Sequence, residues 1–455
     1  MYARYDGPPL TNPSGQSVTT NDPRDLIDRS AMTRAQIIVV ILTVLMNAMD
    51  GFDVLSIAFA SPGIAREWGI AQTALGVVLS MELIGMAFGS VLLGGVADKI
   101  GRRPTILACL VVMVIGMVGA TTAGSPVQLS IWRVFTGLGI GGVLSAINAV
   151  VAEFSNKRWR SLCISMMVIG YPLGGTFGGM FASRLLATYE WRSVFYLGAA
   201  ATAILVPFTY FFMPESVHWL TRKQPQDALA RINASLAKLG HTGVASLPAV
   251  QEGERSKSIG DIFSPALAAT TLLVTAGYFF HIVTFYFILK WTPKIVVDMG
   301  FAASSAGGIL TWANFGGALG GAAFGVLTAR LGLKPLTIVI LVLTSIAVAV
   351  FGRTPADLGT MAYLAAIAGF FGNAGISGLY SIAAYAFPTH VRATGTGFVI
   401  GVGRGGAVLA PIFAGYLLES GFALPTVGMV MGLGSMMGAI VLSFVHVDDQ
   451  RRARS

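Results

Sequence analysis

Apolar runs of about 20 residues or more alternate with short polar knots along most of this chain, the length that a helix needs to cross a bilayer. The pattern predicts twelve transmembrane helices near 36–60, 72–96, 105–123, 127–151, 161–183, 192–213, 267–289, 303–328, 335–352, 358–386, 393–417 and 423–446. The only long hydrophilic stretch, 214–266, separates six spans from six. The expected layout is a tail at 1–35, a six-helix bundle at 36–213, a connecting segment at 214–266, a second six-helix bundle at 267–446 and a tail at 447–455. The connecting segment itself reads as carrying one or two short amphipathic helices, as between Pro225 and Leu239.

An even number of spans puts both termini on one side, and the basic residues say which. Lys and Arg total 30; 22 fall in the tails and even-numbered gaps, 6 in the odd-numbered gaps when Arg192, the first residue of its span, is counted with the gap before it, and Arg133 and Arg404 fall inside spans. Positive charge is retained in the cytoplasm, so both termini and 214–266 are expected there, in a multi-pass inner-membrane protein. The first ~34 residues lack the apolar stretch of a cleavable leader.

The two halves repeat. At an offset of 231 residues, Pro62 meets Pro293, Gly85 meets Gly316, Gly89 meets Gly320, Pro104 meets Pro335 and Gly174 meets Gly405. Twelve of the 22 Gly or Pro positions between 62 and 175 recur in this way, in a chain with 56 Gly and 19 Pro among 455 residues. A duplicated six-helix unit places a binding site at the interface of its halves and moves by rocking one half against the other.

Composition excludes most other classes. The chain is 54% hydrophobic, 11% charged and has a mean hydropathy of +0.72, too little charge to cover a soluble surface. The net charge of +9 is accounted for by the basic clusters between spans, so no nucleic-acid partner is expected. Cys109 and Cys163 lie in apolar runs with no Cys/His cluster, which predicts packing roles, no disulfide and no metal. Neither a GxxxxGK[ST] loop nor a catalytic triad is present, so no cofactor and no enzymatic activity are expected.

Four motifs identify a family. After the second span, Gly94-Gly95-Val96-Ala97-Asp98-Lys99-Ile100-Gly101-Arg102-Arg103 resembles the GxxxDRxGRR/K signature of the major facilitator superfamily. A decayed copy runs from Gly325 to Lys334, with Ala329 in place of the Asp. The fourth span resembles the family's RxxxGxGxG helix from Arg133 to Gly141, and Pro214-Glu215-Ser216-Val217-His218-Trp219-Leu220 is similar to the PESPRWL ending of sugar porters. Gly170-Tyr171-Pro172-Leu173-Gly174-Gly175 matches the GPxxGG antiporter signature only in part, which argues against an exporter. Asp50-Gly51-Phe52-Asp53 resembles the DGxD motif of aromatic acid:proton symporters, as do the aromatic seventh span and the pair Arg392 and Arg404; Glu82 departs from that pattern. The resemblance implies the major facilitator fold and a conformational latch from Gly94, Asp98, Lys99, Gly101, Arg102, Arg103 and Arg392, with Asp98 meeting a positive helix N-terminus across the interface.

Ionisable groups inside spans are costly and point to function. The set read from the sequence is Asp50, Asp53, Glu82, Arg133, His281 and Arg404. A carboxylate removed from water favours its neutral form, so it can take a proton from one side and give it to the other. Asp50 and Asp53, three apart on one helix face, are candidate proton carriers, or else a structural pair neutralising Arg133. Arg404 is the candidate partner of a substrate carboxylate, through the paired fork of its guanidinium, or else half of a packing salt bridge; Arg133 has the same two readings. His281 matches Asp50 in the repeat and reads as a proton relay facing it, a donor to substrate, or a plain buried histidine. Glu82 reads as coupling or structure. Tyr278, Phe285, Trp312, Asn314, Tyr380 and Tyr385 are candidate substrate contacts.

The expectation is an importer, working as a monomer in the bilayer, of small organic acids, aromatic carboxylates foremost, driven by protons. Sugar acids, dicarboxylates, other metabolites and a non-transporting receptor of the same fold are the alternatives.

Overall fold

The computed structural model describes residues 22–248, 259–388 and 391–445. The expected tail 447–455, most of the tail 1–35 and part of the connecting segment lie outside them. Its helices are α1 (Pro23–Arg29), α2 (Arg34–Trp68), α3 (Gln72–Ile100), α4 (Arg102–Thr121), α5 (Pro126–Phe154), α6 (Arg160–Leu185), α7 (Arg192–Phe212), α8 (Val217–Lys223), α9 (Ala228–Lys238), α10 (Ala268–Asp298), α11 (Ala303–Leu331), α12 (Leu333–Phe351), α13 (Leu358–Ala386), α14 (Arg392–Gly403), α15 (Gly405–Glu419) and α16 (Leu424–Ser443). Among the described residues, twelve spans are long and apolar enough to cross a membrane, α14 and α15 together forming the eleventh, and the protein is a multi-pass helical membrane protein. The short α8 and α9 lie in the connecting segment.

Local chemistry sets the first span. Thr33 and Gln36 cap α2 reciprocally, each side chain accepting from the other's backbone N–H, and Gly69 ends it in the left-handed conformation at φ 58°. Pro62 sits inside α2 and leaves the Ala58 carbonyl without its helical donor. The Ser61 hydroxyl donates to that carbonyl at 2.8 Å, so the helix continues eight residues past its expected end at 60. In the same way α10 runs through Pro293 to Asp298 rather than stopping at 289.

Glycine sets how close the helices come. A Cβ on Gly174 would lie 1.7 Å from the Ala48 carbonyl oxygen, one on Gly85 2.1 Å from that of Val134, and one on Gly316 2.0 Å from that of Ala366. These crossings join α6 to α2, α3 to α5 and α11 to α13, and the last two occupy equivalent places in the repeat. With no hydrophobic drive between helices in lipid, such backbone approach supplies the packing.

The two halves, α2–α7 and α10–α16, meet at the ends of their helices distal to the termini. Gly76 abuts the Pro411 backbone, Gly415 abuts Gln72, and Thr73 N–H donates to Glu419 at 2.9 Å. Gly175, Gly179 and Ser183 of α6 touch Asn314, Thr311 and Gly307 of α11. The eleventh span breaks at Arg404, among Gly401, Gly403, Gly405 and Gly406, residues that hold a helix weakly. On the proximal side of that break Gly401 and Val402 are exposed, and a Cβ on Gly397 or Gly401 would meet nothing within 4 Å. The molecule is closed distally and open proximally.

Gly174→Leu is expected to cost at least the ~1–3 kcal/mol of an overpacked core, because the carbonyl facing it cannot retreat like a flexible side chain. Thermal unfolding of the purified protein, wild type against variant, measures it; an unchanged midpoint contradicts the close α2–α6 crossing.

Candidate functional site

The charged residues inside the spans form two groups, all buried except the half-buried Arg404. The first centres on Glu82. Its carboxylate is paired with the Arg133 guanidinium and lies 3.8 Å from the Lys290 ammonium, and all three are shielded from solvent. Arg133 also donates to the backbone carbonyl of Asp53 at 2.8 Å, approaches the Met117 sulfur at 3.1 Å and lies 5.2 Å above the Phe195 ring. Lys290 donates a hydrogen bond to the Val54 carbonyl. The Asp53 carboxylate sits near Arg133, in space that Gly198 leaves open: a Cβ there would be 2.9 Å from its Oδ1.

The second group sets Asp50 and Arg404 on opposite sides of the seam between the halves. Both Asp50 carboxylate oxygens are buried without a hydrogen-bond partner, and the Arg404 guanidinium of the opposite half acts on them electrostatically from beyond ion-pair distance. Arg404 is half-buried and ringed by Tyr278, Tyr286 and Tyr380, with Tyr171 beside Tyr286 and Asp50. The Tyr278 and Tyr380 rings stack with centroids 5.6 Å apart, and their hydroxyls are 3.3 Å apart. A Cβ on Gly403 would strike the Tyr278 ring at 2.2 Å, so that glycine lets the tyrosine lie against the break that carries Arg404.

Several expectations change on this geometry. The aspartates do not neutralise Arg133 through their side chains; Glu82 does, because α3 and α5 cross on glycine and bring the two side chains together. His281 does not face Asp50. Its Nε2 donates to the Gly372 carbonyl and its Nδ1 accepts from the Ser435 hydroxyl, each at 2.9 Å, so both nitrogens are spent holding α10, α13 and α16 together within the second half. Trp312 turns outward, 52% exposed, with Phe315, Leu319 and Tyr363, on the side of α11 opposite the buried Asn314. Tyr385 is 54% exposed at the end of α13, away from the tyrosines around Arg404. Phe285 lies against His281 and Tyr286, at the edge of that ring.

Asp98 does not reach a helix N-terminus across the interface, because the proximal ends stand apart. It is half-exposed and pairs with Arg102 at 2.9 Å and Arg222 at 3.2 Å, both of its own side of the molecule. Glu215 caps α4 instead, accepting the Arg102 and Arg103 N–H groups at 2.9 and 3.4 Å. It fits because Gly101, at φ 116°, has no side chain: a Cβ there would lie 2.2 Å from Glu215. Burial pushes the Glu215 carboxyl above its usual range, against the pull of those N–H donors. Arg103 donates to the Tyr210 carbonyl, Gly94 lies against Ser145, and Lys99 is exposed. Arg392 is exposed and donates to the Phe387 carbonyl of its own half.

Lys290, Tyr171 and Tyr286 are not among the candidate site residues read from the sequence, although both tyrosines fall in motifs that it displays. Lys290 was counted with the loop after the seventh span. The repeat held the missing signal: Pro293 matches Pro62, which lies inside the first span, and Lys290 matches Phe59 of that span.

The sequence matches the Major Facilitator Superfamily profile over residues 40–317 and 274–455, and the chain belongs to that superfamily. It is a membrane transporter rather than an enzyme. It is 27% identical over 427 residues to the gallate transporter of Pseudomonas putida, covering 92% of this chain and 94% of the relative. It is 28% identical over 426 residues to the 4-hydroxybenzoate transporter PcaK of Pseudomonas putida, covering 90% and 95%. Its fold is similar to the partially occluded, inward-open xylose transporter XylE from E. coli, with a TM-score of 0.69 over 91% of this chain and 98% of that one, at 16% identity.

Arg133→Met is expected to cost about 3–5 kcal/mol, since it strands a buried carboxylate. Arg222→Met, which removes a pair exposed on both sides, should cost under about 1 kcal/mol. Thermal unfolding of the two purified variants checks the contrast; equal losses contradict it.

Proposed function

We propose that this chain imports aromatic carboxylates across the cytoplasmic membrane by proton symport, with both termini in the cytoplasm. The observation that carries this is the placing of Asp50 and Arg404 on the two sides of the seam: an unbonded buried carboxylate, an arginine of the other half at a helix break within its electrostatic reach, and tyrosines around that arginine. The relatives named for gallate and 4-hydroxybenzoate support the substrate class.

The chemistry runs as follows. An aromatic acid that leaves water needs a partner for its carboxylate and a surface for its ring. Arg404 offers a guanidinium fork that can meet both oxygens, and Tyr278, Tyr286 and Tyr380 offer ring faces and hydroxyls. While Asp50 is ionised, it competes with the substrate for that guanidinium. A proton on Asp50 ends the competition, so proton and anion enter together and the pair carries no net charge. When the cavity opens to the cytoplasm, the proton leaves, Asp50 takes Arg404 back and the acid is released. Asp53 and Glu82 extend the set of groups that can hold the proton, next to Arg133 and Lys290.

Two variants test this. Arg404→Lys should weaken binding of 4-hydroxybenzoate by roughly 30-fold to several-thousand-fold, the range of about 2–5 kcal/mol for a lost charged hydrogen bond. The uncharged amide analogue should bind wild type poorly and scarcely discriminate between the two proteins. Tryptophan fluorescence titration of purified protein reads both, and equal affinity of Arg404→Lys for the carboxylate overturns the anion site. Asp50→Asn should abolish pH-driven accumulation of labelled 4-hydroxybenzoate in proteoliposomes while sparing exchange of internal for external substrate. Accumulation at the wild-type level by Asp50→Asn removes this residue from coupling.

A further inference from the structure

Every member of the Glu82 cluster but one belongs to the first half. Asp53 is on α2, Glu82 on α3 and Arg133 on α5, while Lys290 comes from α10 in the second half. Its side chain crosses the interface to bond the Val54 carbonyl of α2 and to approach Glu82 of α3. The crossing lies on the side of the molecule where the halves are in contact, one turn from Lys294, which pairs with Asp298 of its own helix. Trp291 beside it donates to the Pro411 carbonyl at 3.1 Å, and Pro411 in turn abuts Gly76 of α3. The ammonium is therefore part of the closed distal contact.

We infer that Lys290 is the tether of the distal gate: it holds the two halves together on that side, anchored on Glu82 and the Val54 carbonyl, and it must let go for substrate to enter. Rocking the halves apart distally withdraws α10 from α2 and α3. The ammonium would then leave both partners, and Glu82 would keep Arg133 alone. Separating buried opposite charges is costly unless water or a proton replaces the lost partner. Distal opening admits water to Lys290, and a neutral Glu82 removes the attraction from the other side. The groups facing this bridge are Asp50 and Asp53 from α2, Arg133 from α5, and the phenols of Tyr171 from α6 and Tyr286 from α10; Arg404 lies beyond Asp50. The tether gives the proposed proton coupling a mechanical arm, and it rests on that reading for its purpose, though not for its geometry.

The test measures the gate directly. In a background of Cys109→Ala and Cys163→Ala, spin labels at Ala71→Cys and Phe422→Cys report the distance between α3 and α15 at their distal ends in nanodiscs at one fixed pH, with no substrate. The short distance should dominate in the otherwise unaltered protein. Lys290→Met and Glu82→Gln should each raise the ratio of distally open to closed molecules about tenfold or more, the change that about 1.4 kcal/mol produces. Lys290→Arg should keep the short distance. The double variant should shift no further than the larger single shift, because two residues acting through one bridge do not add. If Lys290→Met does not reach the membrane, Glu82→Gln removes the same bridge from the other side and carries the measurement. Unchanged distances in the variants overturn the tether, and so does a double variant whose shift is the product of the single shifts. Failure of proton symport would leave these distances as expected, so the two proposals can fail separately.

Discussion

A carboxylate placed where water cannot reach it has to be met by positive charge from a neighbouring helix, and Glu82 is met twice. Arg133 reaches it from α5 and Lys290 from α10. Each cation also donates to a backbone carbonyl of α2, Arg133 to that of Asp53 and Lys290 to that of Val54. One buried residue thus fixes the relation of four helices, α2, α3, α5 and α10. The helices can approach closely enough for this only because glycines line the crossings: a Cβ on Gly85 would lie 2.1 Å from the Val134 carbonyl, and one on Gly137 2.1 Å from that of Glu82 itself. Small residues and buried charges work as one device here. The glycines remove the steric barrier, and the charges give the contact its single register.

The cluster and the tyrosine-lined Arg404 divide the interface by chemistry. Glu82 has two cations at ion-pair distance, Arg133 and Lys290. Asp50 has none that close, and the cation acting on it, Arg404, sits on a helix break in the other half. A paired ion network resists change, whereas an unbonded carboxylate opposite an arginine can exchange its partner. The break at Arg404 belongs to the same logic. Four glycines around it leave the helix weak, and Gly403 admits the Tyr278 ring against the turn. The local cost of the break is met by placing the guanidinium at the seam, where both halves can reach it.

The architecture was legible because it depends on features that sequence displays directly. Apolar run length gave the number of spans, and the Gly and Pro offset of 231 exposed the duplication. Asp50, Asp53, Glu82, Arg133 and Arg404 stood out as charges inside apolar runs, and the family motifs pointed to the transporter class. Pairing was not legible. Which cation meets Glu82 depends on the rotation of α3 against α5, and on how far α10 extends past Pro293, neither of which hydropathy encodes. Helix ends are its weakest output, and one residue of error moved Lys290 from a buried bridge into a loop. His281 failed for another reason. Repeat equivalence fixes a position in its own half, but not the direction of its side chain, and α13 and α16 supplied two polar partners that α10 could use internally. Trp312 failed in the opposite sense: its neighbour Asn314 faces inward, and 200° of helical rotation separates residues two apart.

The state of the molecule also decides which of its motifs can be seen at work. With the distal ends in contact, the distal bridges are formed and the proximal ones are not. Asp98 and Arg392, which the family resemblance links to a latch, accordingly hold partners in their own halves or, for Arg222, in the connecting segment. Rocking the proximal ends together would carry both toward the opposite half, and would at the same time withdraw Lys290 from Glu82. A transporter that used only one of these sets would have a default state and no reason to leave it. Two sets at opposite ends, each satisfied at the expense of the other, would give two states whose balance a substrate bound between them could tip.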